Sequence, residues 1–195
     1  MSGRKSTNTS SFSPPLEGSG EALRSGEAIR LSPNFFLRDV LEVAPALIGK
    51  LLVRQFDDGR IERYRITEVE AYRGAEDLAC HASKGRTSRT EIMFQEGGTV
   101  YVYLIYGMYW LLNLVTGAES DASAVLIRGI EGCSGPGRVG RKLQLDKSFY
   151  GENLHNSSRI WVEDAEPVAE IKTSKRIGIG YSGEEWENKL WRFYV

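Results

Sequence analysis

Two segments bring together residue types that do chemistry: ITEVEAYRG at residues 66–74 and YVYLIYGMYWLLN at residues 101–113. The first carries two carboxylates, Glu68 and Glu70; the second is a dense set of tyrosines closed by Asn113. Side chains of a strand alternate with a period of two, so Ile66, Glu68, Glu70 and Tyr72 share one face and Thr67, Val69 and Ala71 the other. Carboxylates on a core strand carry a desolvation cost, which is tolerated where one of them has a use. The expectation is a concave surface that stacks a planar ring and does acid/base chemistry beside it.

Each candidate has a structural alternative. Glu70 beside a water is a general base, and Arg128, facing inward from a later strand, holds it ionised and orients the same water. The same two residues equally describe a structural ion pair, and Glu68 is a rival carboxylate. Tyr72, His81 and Tyr103 offer flat faces that suit a base-stacking slot or an ordinary core. Tyr106 sits at an expected hairpin tip, where there is little core to fill and an exposed aromatic can wedge into a duplex. Asn113 is either a satisfied core amide or a discriminating element on a pocket floor.

The elements that position these residues are legible from turns and periodicity. Apolar residues at Leu37, Leu41, Ala44 and Ile48 form a helical stripe that Pro45 is expected to divide and Gly49 to end. Residues 51–56 and 60–72 flank Asp57-Asp58-Gly59, a hairpin signal. Residues 99–105, 109–116 and 122–130 form an antiparallel meander. With an odd-numbered loop centred on Gly107, Tyr101, Tyr103, Tyr109, Leu111 and Asn113 share a face. Gly135-Pro136-Gly137 opens a short basic helix whose free amides suit an anion. Further strands are expected at 159–162, 170–179 and 190–195. The sum is an α+β single domain: a mixed, mainly antiparallel curved sheet with peripheral helices and a protruding hairpin.

Composition bounds the function. The chain has 195 residues, 41% of them hydrophobic and 26% charged, which suits one globular domain. Residues 1–30 are rich in Ser, Gly, Pro and charge, so they are expected to be a disordered tail, leaving 31–195 as the folded domain. No segment reads as a signal peptide or membrane span, and a soluble protein inside the cell is expected. Cys80, Cys133, His81 and His155 lack metal-ligand spacing, and neither a metal nor a cofactor is implied. A net charge of −1 excludes wholesale coating of nucleic acid, but Lys84, Arg86 and Arg89 form one basic cluster and Arg138, Arg141, Lys142 and Lys147 another. Such clusters serve phosphate binding or simple solvation.

The stretches TEVEAYRGAEDLACHASKGRTSRTEIMF, GTVYVYLIYGMYWLLNLV, AVLIRGIEG, GPGRV and the closing WRFYV resemble, in order and spacing, the alkyladenine (3-methyladenine) DNA glycosylase family of the animal and bacterial type. The resemblance covers residues 31–195. It implies a monofunctional enzyme that flips a damaged purine out of double-stranded DNA and hydrolyses its N-glycosidic bond with an activated water. On the matching positions Glu70 is the general base and Arg128 its companion. Tyr72 and His81 stack on one side of the flipped base and Tyr103 on the other. Tyr106 fills the gap in the duplex, and Asn113 refuses the amino group of guanine. The resemblance also implies backbone contacts from Lys84, Arg86, Arg89, Tyr101, Met108, Arg138 and Arg141, and a carbonyl from Ile179 in the IGIG run that holds the water.

The resemblance further implies a monomer that needs no cofactor and leaves an abasic site without strand cleavage, since the matched segments hold no amine nucleophile. Its place is the bacterial cytoplasm or, in a eukaryote, the nucleus. One departure is Arg89-Thr90-Glu91 where family members commonly have Arg-Asn, because an acid there opposes phosphate contacts. Two other classes compete: a catalytically silent module that captures damaged DNA, and a hydrolase acting on nucleosides or RNA.

Overall fold

The strand that carries the two carboxylates, β2 (Ile61–Tyr72), organises the chain by pairing with three others. Its first half pairs with β1 (Leu51–Gln55) across the turn at Gly59, whose φ of 83° needs a glycine. On that same edge its second half, at Glu68–Glu70, pairs with β9 (Arg192–Tyr194). The opposite edge belongs to β5 (Ser123–Ile130), which is followed outward by β4 (Tyr109–Thr116) and β3 (Val100–Ile105). Beyond β1 lies β7 (Ile160–Glu163); the short β6 (Cys133–Ser134) pairs with β5, and β8 (Lys172–Ser174) with β9. Every one of these pairings is antiparallel, which gives an open curved nine-stranded sheet and an α+β fold with few helices. The structure, a computed structural model, describes residues 29–195, so the expected tail lies outside the described residues as far as residue 28. Ile29 and Arg30 are already engaged: the Ile29 carbonyl accepts from Asp164, and Arg30 bridges Glu163 with its guanidinium 4.6 Å from the Trp161 ring.

One face of the sheet is the core. Val69, Ala71, Val100, Val102, Leu112, Leu114, Val125 and Ile127 point into it, the alternate residues of the same strands that carry the tyrosines and carboxylates on the other face. Burying each such Val, Leu or Ile contributes roughly 1.5–3 kcal/mol. Against this face pack α1 (Pro33–Phe36), α2 (Val40–Leu47) and α3 (Pro136–Lys142), through Phe36, Val40, Val43, Leu47, Val139 and Leu143. A fourth short helix, α4 (Glu184–Glu187), precedes β9. The basic helix α3 reaches its close seat on β4 because it carries glycines there. A Cβ at Gly140 would overlap the Trp110 carbonyl, and one at Gly137 would lie 2.9 Å from the Tyr109 ring.

The meander has the register expected of it. Tyr101 pairs with Asn113, Tyr103 with Leu111 and Ile105 with Tyr109, leaving the loop Tyr106, Gly107 and Met108. Two expectations need correction. The helical stripe breaks at Leu37–Asp39 and not at Pro45, because Asp39 accepts from the Leu41 N–H and caps a second helix that tolerates Pro45 near its end. Of the strand expected over 170–179 only Lys172–Ser174 pairs as a strand. Beyond it the segment spends its donors on β2 differently: the Arg176 side chain donates to the Ala71 carbonyl and the Ile177 N–H to the Glu70 carboxylate.

Candidate active site

Strand pairing lays the site out as rows. Glu70 pairs with Leu126, Leu126 with Asn113 and Asn113 with Tyr101, so one row crosses β2, β5, β4 and β3 on a single face. Adjacent strands lie about 4.8 Å apart, which separates Glu70 from Asn113 by about 10 Å of backbone. Tyr72 and Ala124 start the next row; Tyr103 and Leu111 belong to the row on the other side. Arg128 joins them through an irregularity. Between Ile66 and Val69 the ladder shifts twice, leaving Thr67 on β2 and Arg128 on β5 without direct partners. Such bulges re-aim side chains. Gly129 permits it, since a Cβ there would stand 2.9 Å from that of Glu68.

The two carboxylates end in opposite environments. Arg128 Nε lies 2.9 Å from Glu68 Oε1 and 3.4 Å from Glu70 Oε1, and Arg192 Nε donates to Glu68 Oε1 at 2.7 Å. Burial alone would raise the Glu68 pKa, but hydrogen bonds from Arg192 and Arg128 outweigh it and hold the group below the usual glutamate value. Glu70 has no exposed surface; its Oε2 accepts from the Tyr72 hydroxyl at 2.9 Å and its Oε1 from the Ile177 N–H at 2.7 Å. Burial pushes the Glu70 carboxyl up, and Arg128, the Ile177 N–H and Tyr72 pull back only part of the rise. Pairs of acids with divergent environments are how one site separates a structural anion from a base. Here Glu68 is the neutralised anion, and Glu70 the buried carboxyl beside the pocket.

Beside Glu70 a small cavity of about 40 Å³ is lined by Tyr72, His81, Tyr101, Tyr103, Asn113 and Tyr181, among others. The Asn113 amide donates to the Tyr101 and Leu111 carbonyls at 3.1 and 3.4 Å, which fixes it on the pocket floor. His81 starts a 3-10 turn, His81–Lys84, and its Nδ1 lies 2.9 Å from the Tyr101 hydroxyl. Burial, with Arg89 nearby, lowers its pKa to about 4, so the imidazole is neutral at pH 7. When Tyr101 donates to Nδ1, the ring carries its proton on Nε2 and offers it as a donor. The His81 and Tyr103 rings meet edge to face at 4.6 Å between centroids. That contact leaves no gap between them, so a planar ring entering on that side has to displace one of the two.

The outward residues divide less simply than expected. Lys84, Arg86, Arg89, Arg138 and Arg141 are exposed, and Tyr106 and Met108 stand out from the hairpin tip at 83% and 62% exposure. Tyr106 holds φ = 52°, rare for a side chain that is not glycine. Tyr101 is 1% exposed, pairs with Asn113 and lines the pocket. Arg89 lies 5.0 Å over the Tyr103 ring, and Arg86 is held by Glu91 at 3.2 Å and by Ser120. The Ile179 carbonyl already accepts from the Ser182 N–H and hydroxyl, which occupies both lone pairs. The contact from that run to the carboxylate is made by Ile177. Sequence reasoning passed over Arg176, Ile177 and Tyr181, which reach this region from about a hundred residues away, and Asp77, whose burial depends on Arg176, 99 residues on. Among the described residues no three His, Cys, Asp or Glu side chains converge to hold a metal ion. No described helix is long and apolar enough to cross a membrane.

Comparison with known proteins bears on this site. The model of the methylpurine-DNA glycosylase (MPG) family matches residues 34–134 and 131–195. A Methanocella arvoryzae protein is 43% identical over 184 residues, covering 84% of this chain and 91% of the relative. One from Legionella pneumophila strain Corby is 43% identical over 175 residues, covering 85% and 94%. A third, from Natranaerobius thermophilus, is 39% identical over 191 residues, covering 86% and 96%. All three carry the provisional name 3-methyladenine DNA glycosylase.

Proposed function

The chain belongs to the methylpurine-DNA glycosylase family, and from that premise we propose that it is a monofunctional DNA glycosylase of base excision repair. It flips alkylated or deaminated purines, among them 3-methyladenine, 7-methylguanine, hypoxanthine and ethenoadenine, out of duplex DNA and hydrolyses the N-glycosidic bond with a water activated by Glu70. The observation that carries the reading is the state of Glu70: a fully buried carboxylate, raised in pKa and held by Arg128, Tyr72 and the Ile177 amide beside an aromatic pocket.

The roles follow from position. The extruded purine stacks against Tyr72 and His81, with Tyr103 moving to close on it, and His81 donates from Nε2. Water attacks C1′ as the bond to the base nitrogen breaks; the base leaves with the bonding electrons and Glu70 receives the proton of the water. A purine methylated at N3 or N7 is already cationic and departs as a neutral base, whereas hypoxanthine or ethenoadenine leaves as its anion and takes up a proton from solvent, so for the methylated bases a placed water and a nearby anion supply much of what remains. Tyr106 takes the place of the extruded base in the stack. The product is an abasic site. The enzyme acts as a monomer, in the bacterial cytoplasm or the eukaryotic nucleus.

The test is base release from a duplex oligonucleotide holding one hypoxanthine and, separately, from methylated DNA, followed by alkali to reveal abasic sites. Cleavage only after alkali is expected, and Glu70→Gln should lose on the order of 10²–10⁴-fold in rate while still binding the lesion. Equal turnover by Glu70→Gln would remove the proposed base. Tight lesion binding with no product from either DNA would leave a silent binding module.

A further inference from the structure

An ion pair lies behind the pocket that the proposed chemistry does not use. Arg176 Nη1 reaches Asp77 Oδ2 at 2.5 Å and Nη2 reaches Oδ1 at 2.9 Å, with both side chains wholly buried. Stability is a weak reason for such a pair, since desolvating two ions commonly cancels their attraction and an apolar pair would serve as well. Its other contacts run to the walls of the pocket. The Asp77 carboxylate also accepts the N–H groups of Arg73 and Ala79, which shapes the loop entering His81. Arg176 donates to the Ala71 carbonyl, between Glu70 and Tyr72 on β2, and its guanidinium lies 4.8 Å from the Tyr72 ring and 5.0 Å from that of Trp191. The next residue, Ile177, gives its N–H to Glu70.

We propose that Asp77 and Arg176 are positioning residues: their ion pair clamps the His81 loop, strand β2 and the Ile177 amide together, so that Glu70 and the Tyr72 ring hold the orientation the reaction needs. This rests on the glycosylase reading for its catalytic consequence, but its geometric content stands apart. The groups facing Glu70 are Arg128 from β5, Tyr72 from its own strand, Glu68 across the shared Arg128, Tyr103 from β3, Tyr181 from the 3-10 turn Gly180–Ser182, and Arg176 with the Ile177 amide. Arg128 and Arg176 are the cations among them, and both favour the ionised carboxylate. Losing Arg176 therefore both misplaces Glu70 and makes it harder to ionise, whereas losing the Asp77 charge misplaces it without removing a cation.

The experiment compares wild type with Arg176→Met, Asp77→Asn, Arg176→Lys and Ile177→Pro. It measures melting temperature, the single-turnover rate of hypoxanthine release from pH 4 to 9, and Glu70 titration by carboxyl carbon-13 NMR. In Arg176→Met and Asp77→Asn the rate at neutral pH should fall on the order of 100-fold, the cost of about an ångström of misplacement. The Glu70 titration should move to higher pH in Arg176→Met, and Arg176→Lys, which keeps the charge without the fork, should recover more of the titration than of the rate. Ile177→Pro removes the amide donor to Glu70 and, by restricting the backbone of Arg176 before it, also disturbs the clamp, so its rate should fall at least as far as that of the pair variants; a folded Ile177→Pro with wild-type rate would equally overturn the proposal. Folded variants with a lower melting temperature but wild-type rate and Glu70 titration would overturn the proposal. A wild type inactive on every lesion overturns the glycosylase reading, while the NMR titrations still decide whether the pair positions Glu70.

Discussion

The Tyr72 hydroxyl donates to Glu70 Oε2 across 2.9 Å, so the ring that lines the pocket and the buried carboxylate form one hydrogen-bonded unit. That bond favours the ionised acid and burial opposes it, so under the proposed mechanism the unit should set the acid limb of activity. A general base works only when ionised. Turnover should therefore fall as pH drops through a Glu70 pKa lying above the usual 4.5. His81, lowered to about 4, adds no limb near pH 6.5. Tyr72→Phe removes a donor from the charged form and should move the acid limb to higher pH, read from single-turnover rates. The same shift has a stability sign. A carboxyl raised on folding contributes its stability fully below the unfolded value and loses it as pH rises through the folded one. Denaturation of wild type against Glu70→Gln should show the wild type losing ground from acid to neutral pH.

Tyr106 combines a strained backbone with an exposed ring. Glycine adopts φ = 52° without the penalty a side chain meets, so Tyr106→Gly should stabilise the fold by up to about 1 kcal/mol in urea denaturation. The same variant should excise more slowly from duplex DNA, having lost its wedge, with a smaller deficit on a single strand. Equal losses on both substrates would place the ring elsewhere in the reaction.

Glu91 occupies Arg86 at 3.2 Å in the basic loop. The pair is half exposed and adds little to stability. Glu91→Gln should release Arg86 for a phosphate, tighten binding to undamaged duplex and steepen the slope of log K against log salt by about 1. Unchanged affinity across the salt range would show that Arg86 faces away from DNA.

Asn113 has its amide tied to two backbone carbonyls on the pocket floor. Asn113→Ser shortens the side chain and opens space beneath the base. Release of undamaged guanine should rise relative to hypoxanthine, by about 10-fold or more if the amide supplies 1–3 kcal/mol of exclusion. Product analysis by chromatography decides it.

Local rules made much of this site legible. The period of two put Glu68, Glu70 and Tyr72 on one face, and a three-residue loop at Gly107 set Tyr101, Tyr103, Leu111 and Asn113 opposite one another. These follow from local backbone geometry, which fails only at the bulge: Ile66, expected on the face of Glu68 and Glu70, lies in the core instead. The resemblance pointed to Glu70, but the physical contrast between Glu68 and Glu70 needed the tertiary structure, because it depends on Arg192 arriving from 124 residues away to neutralise one and on Ile177, 107 residues away, to hold the other. The burial of Asp77 against Arg176, 99 residues away, was beyond reach for the same cause. Periodicity assigns a residue to a face; the cover that face receives, and so the dielectric and charge around each acid, is set by segments that meet only in the folded chain.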